Sequence, residues 1–218
     1  IEVSNGRVPV IAGTGSNSTA EAVNLTQHAA KSGADAALVV MPYYNKPTPE
    51  GQYEHFKAIA ENSSIPIIIY NIPGRSVVDM SVDTMARLAE IPNIVGVKDA
   101  TGDASRPSLV RHVIGKDFCQ LSGEDGCVPA MLAHGGDGCI SVTANVAPSL
   151  CAKMHQNWQS GDVGAALAIH DQLTPLNEAL FSETSPGPVK YAASLIGLCL
   201  EDMRLPMTNI GPNTKDLV

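Results

Sequence analysis

The 218-residue chain is poor in aromatic residues (4%), with one Trp and three Phe. It is poor in positive charge as well: 14 Lys and Arg stand against 22 Asp and Glu, for a formal net charge of −8. Basic runs are missing, which argues against a partner such as nucleic acid or an anionic membrane surface. The longest apolar stretches, such as Ala36–Pro42 and Pro66–Ile69, are too short to span a bilayer, and no charged-then-apolar leader precedes them. Cysteine is sparse, with Cys119, Cys127, Cys139, Cys151 and Cys199 forming an odd set that contains no C-x-x-C pair. That usage points to reduced thiols in a cytoplasmic protein, not to a disulfide framework or a zinc site. The six histidines show no metal-ligand spacing, so no metal site is expected. A dinucleotide fingerprint is also missing, because Gly13-Thr-Gly15 runs on into Ser-Asn-Ser.

What the chain does have is rhythm. Short β-branched runs recur at Val8–Ala12, Ala37–Met41, Pro66–Tyr70, Ile94–Lys98, Phe118–Leu121 and Gly138–Val142. The first four are spaced by about 28 residues, room for one strand, one helix and two loops. Between and after them, Ser18–Ser32, Pro49–Asn62, Ser81–Glu90, Pro107–Ile114, Val128–His134 and Pro148–Ser160 carry apolar residues at helical spacing. Ser18 and Glu21 form a capping-box pattern at the first of these. Strands alternating with helices imply right-handed crossovers and a parallel sheet, and near-continuous apolar strands imply that both its faces are covered. After Gly161 the rhythm changes to helices alone, over Val163–Leu180 and Pro188–Leu200. The reading is an α/β chain with residues 1–161 forming a partial β/α barrel and residues 162–218 a helical region packed on it. A doubly wound sheet remains compatible with the pattern, but the missing glycine fingerprint favours the barrel.

Polar and ionisable residues cluster just after the strands, where both architectures build their sites. Lys98 closes the strand Ile94-Val-Gly-Val-Lys98, with Ile94 and Gly96 expected on its face and Gly96 leaving space below the amine. An ammonium in such company is costly to bury charged, which favours a neutral amine able to form an imine with a carbonyl substrate. The plain alternative is a lysine reaching from a strand end to a carboxylate such as Asp99 or Glu124. Tyr70-Asn-Ile-Pro-Gly-Arg75 offers a phenol that could relay protons and a guanidinium that could grip a carboxylate. Either residue alone could equally be a core tyrosine or a surface arginine. Tyr43 and Tyr44 stand adjacent after another strand, one for a pocket and one for an interface, or simply packed in a loop. Gly135-Gly-Asp-Gly138 looks like a phosphate turn but reads better as a tight helix-to-strand connection.

Taken together, these clusters resemble the pyruvate-dependent class I aldolases, and within them the dihydrodipicolinate synthase family. The resemblance rests on Val8-Pro-Val-Ile-Ala-Gly-Thr-Gly15, Pro42-Tyr-Tyr-Asn45, Tyr70-Asn-Ile-Pro73, Gly96-Val-Lys-Asp-Ala-Thr101, Leu121-Ser-Gly-Glu-Asp125, Ile140-Ser-Val-Thr-Ala-Asn145 and Leu205-Pro-Met207. Any one is weak; in register they are specific. The family fold is a TIM-type (β/α)8 barrel followed by C-terminal helices. The resemblance implies that Lys98 forms the imine with pyruvate, that Tyr70 belongs to the proton relay, and that Arg75 holds the carboxylate of aspartate semialdehyde. It implies that Tyr44 completes the relay of a neighbouring subunit, hence a homodimer or homotetramer, and that Gly123 and Ile140 line the pyruvate pocket. Asn17, Glu21 and Tyr43 match part of the family's lysine feedback site. No cofactor is implied, since pyruvate is itself bound covalently. The Pro-Gly-Arg after Tyr70 favours this synthase over sialic-acid lyases.

The resemblance begins at the family's third βα unit, so six of the eight units have counterparts here. The paired threonines that follow the family's second strand, one of which links the two relay tyrosines, lie outside the match. Six strands would leave open sheet edges unless more chain or a partner covers them. The expected activity is condensation of pyruvate with L-aspartate 4-semialdehyde in lysine and diaminopimelate biosynthesis. The alternatives are another pyruvate aldolase, or a shortened, inactive paralogue with an assembly role.

Overall fold

The computed structural model describes all residues, 1–218. Six strands form one sheet: β1 (Ile11–Gly13), β2 (Ala36–Val40), β3 (Ile67–Asn71), β4 (Ile94–Asp99), β5 (Cys119–Ser122) and β6 (Gly138–Cys139). Every neighbouring pair is parallel, and the strands lie in strict chain order from β1 to β6. A doubly wound sheet reverses its strand order at a switch point, whereas sequential order is that of a β/α barrel. This settles the choice the sequence left open: the fold is of the β/α barrel type, with six βα units.

The helices are α1 (Thr19–Lys31), α2 (Pro49–Glu61), α3 (Pro73–Ser76), α4 (Val82–Ala89), α5 (Arg106–Val113), α6 (Val128–Ala133), α7 (Pro148–Gln159), α8 (Val163–Leu180), α9 (Gly187–Leu195) and α10 (Pro212–Leu217). The chain divides into two compact units, one of residues 1–124 and 130–139, the other of 125–129 and 140–218.

In the first unit, alternate residues of the strands share a core with the helices. Val39, Met41, Ile67, Ile69 and Val97 pack with Phe56 and Ile59 of α2, Met85 and Leu88 of α4, and Val110 of α5. Residues of the opposite sheet face, including Leu38, Val40, Tyr70, Lys98 and Leu121, are only half-buried. Ser18 caps α1 by accepting from the Glu21 amide. The reciprocal half of the expected capping box is not made by Glu21: the Ser18 amide donates to Ser16 Oγ, and that hydroxyl in turn donates to Glu21 Oε2 at 2.7 Å. A serine two residues upstream offers a shorter reach than the long Glu side chain.

The first strand spans Ile11–Gly13 in place of the expected Val8–Ala12, and three further expectations need correction. The last strand ends at Cys139, not Val142. The buried carboxylate of Asp125 accepts from Ser141 Oγ and from the amides of Val142 (2.8 Å) and Thr143 (3.4 Å), which draws the chain into a turn. The helix expected over Pro188–Leu200 stops at Leu195, where Gly197 takes a left-handed φ of 76° and ends the helical path. The third concerns β4. Its pairing with β3 jumps from Ile67↔Ile94 to Ile68↔Gly96, leaving Val95 as an extra residue. Ile94 therefore falls into the helix-side core, and of the two residues expected beside Lys98 only Gly96 shares its face. The Gly135–Gly138 segment is the helix-to-strand connection, pinned where Asp137 exchanges two hydrogen bonds with the Gln120 backbone, at 2.7 and 2.8 Å.

In the second unit, α7 and α8 pack together, and Thr143 Oγ1 donates to Asn177 Oδ1 at 2.6 Å inside the unit. Leu180, Val189 and Ala192 form its small core with Leu176 and Val218. No helix is long and apolar enough to cross a membrane.

Candidate active site

Parallel pairing places Tyr70 directly beside Lys98, and Lys98 beside Leu121. Paired residues in a sheet project to the same face, so the phenol and the amine emerge together from the side away from the helices. The Lys98 Nζ lies 3.9 Å from the centroid of the Tyr70 ring, over its face. The carboxylate next in sequence is not its partner, because Asp99 points to the other face and meets Arg106.

Two glycines shape the surroundings of the amine. A Cβ on Gly123 would come within 2.7 Å of Ala100 Cβ and 3.0 Å of Lys98 Cε, so the bare backbone there is what lets the lysine stem pass. Gly96 serves differently from the open space expected of it. A Cβ there would stand 2.4 Å from the Cys119 carbonyl oxygen, so its lack of a side chain allows β5 to approach β4.

Arg75 sits on α3, a single turn starting at Pro73, and its side chain is exposed. Tyr44 is 87% exposed and has a left-handed φ of 72°. Asn17 and Tyr43 are brought together: Asn17 Nδ2 donates to the Tyr43 carbonyl at 3.2 Å, and Asn45 Nδ2 donates to the Asn17 carbonyl at 2.9 Å. Glu21 lies on the exposed side of the first turn of α1, tied to Ser16. Ile140 follows β6 directly and belongs to the second unit. No three His, Cys, Asp or Glu side chains gather in a way that could hold a metal ion.

The structure adds residues that motif reading passed over. Asn71 and Asp99, each one place beyond Tyr70 and Lys98, are paired in register and buried on the helix side. Asn71 Nδ2 donates to Asp79 Oδ1 at 2.7 Å and to Asp99 Oδ2 at 3.1 Å. Arg106 binds Asp79 Oδ2 at 2.9 Å and the Met80 carbonyl, while its Nε lies 3.2 Å from Asp99 Oδ2 as an ion pair without hydrogen-bond alignment. The signal was present in the pattern: Asn and Asp at strand ends fall on a face that is otherwise apolar.

The whole chain, residues 1–218, matches the dihydrodipicolinate synthetase family. A 4-hydroxy-tetrahydrodipicolinate synthase of Rhodospirillum centenum is 67% identical over 218 residues, which are 100% of this chain and 75% of that protein. The chain belongs to the dihydrodipicolinate synthetase family. Among solved structures, the chloride-inhibited dihydrodipicolinate synthase of Acinetobacter baumannii complexed with pyruvate matches with a TM-score of 0.96 and 47% identity, covering 99% of this chain and 74% of that one. The enzyme of Cyanidioschyzon merolae with lysine bound matches with a TM-score of 0.95 and 38% identity, over 99% of this chain and 73% of that one. The chain thus spans about three quarters of its relatives' length. Membership makes it a lyase of lysine and diaminopimelate biosynthesis that condenses pyruvate with L-aspartate 4-semialdehyde through a lysine Schiff base, in preference to the other aldolase and inactive-paralogue readings.

Proposed function

We propose that Lys98 is the lysine that carries the Schiff base. The observation behind this assignment is the pairing of Tyr70 and Lys98 on one sheet face, with Nζ 3.9 Å from the ring centroid and Gly123 leaving room for the lysine stem. In this reading the neutral amine attacks the keto carbon of pyruvate, water leaves, and the protonated imine draws electrons from the methyl group. Loss of a methyl proton gives an enamine whose carbon attacks the aldehyde of the second substrate. The imine nitrogen takes up the electron pair as the methyl proton leaves and returns it as the enamine carbon bonds to the aldehyde, so no further cofactor is called for. Tyr70 moves protons to and from the reacting atoms, Arg75 holds the carboxylate of the semialdehyde, and Gly123 lines the pyruvate site.

Tyr44, which is exposed, is assigned to the relay of a second copy, which makes the working form a homodimer or a larger homo-oligomer. Asn17, Glu21 and Tyr43 are assigned to a lysine effector site, an assignment favoured by the hydrogen bonds between the Asn17 and Tyr43 segments and by the lysine-bound relative. A cytoplasmic setting fits five cysteines that are not joined in disulfides.

The test is borohydride reduction in the presence of pyruvate, followed by peptide mapping. A reduced pyruvate adduct on the peptide containing Lys98, absent from a Lys98→Arg variant, is expected. An adduct on another lysine would refute the assignment.

A further inference from the structure

The polar cluster behind Tyr70 and Lys98 is oddly placed for a group that only stabilises the fold. Asn71 and Asp99 are 0% and 6% exposed on a face otherwise filled by Ile69, Val97 and the helix core. Buried ion pairs and amides contribute little net stability compared with apolar side chains of the same volume, because their desolvation offsets their attraction. What such a cluster does provide is a single geometry.

That geometry is locked at both ends of the segment bearing Arg75. Residues 72–79 leave β3 and return to it: Asn71 Oδ1 accepts the Met80 amide at 3.1 Å, while its Nδ2 donates to Asp79. Arg106 closes the same base from α5 through Asp79 and the Met80 carbonyl. Asp99 links this base to the lysine side. Its Oδ1 accepts from the Thr101 amide at 3.0 Å and hydroxyl at 2.5 Å, and its carbonyl accepts the Gly123 amide at 2.7 Å. The Ala100 amide donates to the Asn71 carbonyl at 2.9 Å. Lys98 immediately precedes this pivot, and Gly123 is the residue whose bare backbone clears its stem.

We infer that Asn71, Asp79, Asp99 and Arg106 form a positioning clamp, which fixes Lys98 against Tyr70 and anchors the strap that presents Arg75 to the second substrate. The clamp touches neither substrate; it acts through the three residues it holds. The inference rests on the assignment of Lys98, Tyr70 and Arg75 proposed above.

Asp99→Asn tests it in the intact protein. The amide keeps the volume and can still accept from Thr101, but it turns the atom at Oδ2 into a donor facing two donors, Asn71 Nδ2 and Arg106 Nε. Arg106→Lys, which keeps the charge and loses the fork, is the milder companion should the first variant fold poorly. Pyruvate-competent sites are counted by borohydride trapping, and kcat is expressed per trapped site. The adduct is expected still to map to Lys98, with kcat per site down about 10- to 100-fold and KM for aspartate semialdehyde raised several-fold, as for a displacement of about 1 Å. Trapped sites that turn over at the unaltered protein's rate with unchanged KM, while only the melting temperature falls, would overturn the clamp. Absence of any Lys98 adduct in the unaltered protein would instead overturn the Schiff-base assignment beneath it.

Discussion

Acid is expected to destabilise the fold through His55. This residue sits on α2 and is 5% exposed, its ring edge-on to Phe56 at 5.4 Å. Its Nδ1 lies 2.8 Å from the hydroxyl of Thr19, the first residue of α1, while Nε2 is buried with no partner. Burial pushes its pKa down from 6.5 to about 4. A group whose charged form is disfavoured by folding binds more protons in the unfolded chain, so stability rises with pH across the gap. The contribution is complete above about pH 6.5, falls by about 1.4 kcal/mol per unit below it, and is spent near pH 4, about 3 kcal/mol in all. Between about pH 7 and about pH 5 the loss is about 2 kcal/mol, large against a domain stability of about 5–15 kcal/mol. The measurement is urea unfolding at several pH values for the unaltered protein and for His55→Asn, whose amide can still meet Thr19. His155, also lowered chiefly by burial against the opposing pull of Asp125, is common to both proteins and cancels in the difference. The variant starts less stable but should lose about 2 kcal/mol less over that interval. Parallel curves for the two proteins would show that His55 is not the acid-sensitive group.

The glycines give a graded set of further expectations. Gly123→Ala should cost about 1–3 kcal/mol by overpacking and slow pyruvate trapping about tenfold or more, because the new methyl meets both Ala100 and the Lys98 stem; trapping rate and thermal melting measure the two effects. Gly96→Ala should be worse for folding, since its Cβ would meet the Cys119 carbonyl across the sheet, whereas Gly74→Ala should leave melting nearly unchanged because nothing lies within 4 Å. Arg75→Ala should raise KM for aspartate semialdehyde while leaving the pyruvate adduct on Lys98 intact, and equal damage to both would contradict its assigned role.

The strand order was legible in outline because each βα unit repeats the same message: an apolar run, a polar turn and a capped amphipathic helix. Placement of the strands along the chain was therefore read to within a few residues for β2 to β5. The end of the last strand was misread because one side chain outside the local window takes command there. Asp125 bends the chain after β6 through three hydrogen bonds from residues 141–143, and no periodicity within that run announces it. The bulge at Val95 was hidden for a related reason: Ile94-Val-Gly-Val-Lys98 is an unbroken apolar run up to its lysine, and only the pairing with β3 shows that the register slips by one.

Beyond that slip the alternation is regular, and it governs what was and was not readable in the site. Lys98 and Tyr70 stood out because an ionisable group at the end of an apolar strand is costly unless it serves something. Their neighbours Asn71 and Asp99 carry an equal anomaly, being polar on a face packed with Ile69 and Val97, yet a motif search absorbs them into loop chemistry. Alternation alone separates the two sets: residues 70 and 98 go to one face and 71 and 99 to the other, in register across β3 and β4. A dipeptide of this kind at the ends of two adjacent parallel strands thus has two sides to read. One presents the reactive groups, and the other holds the strand ends still enough for those groups to meet.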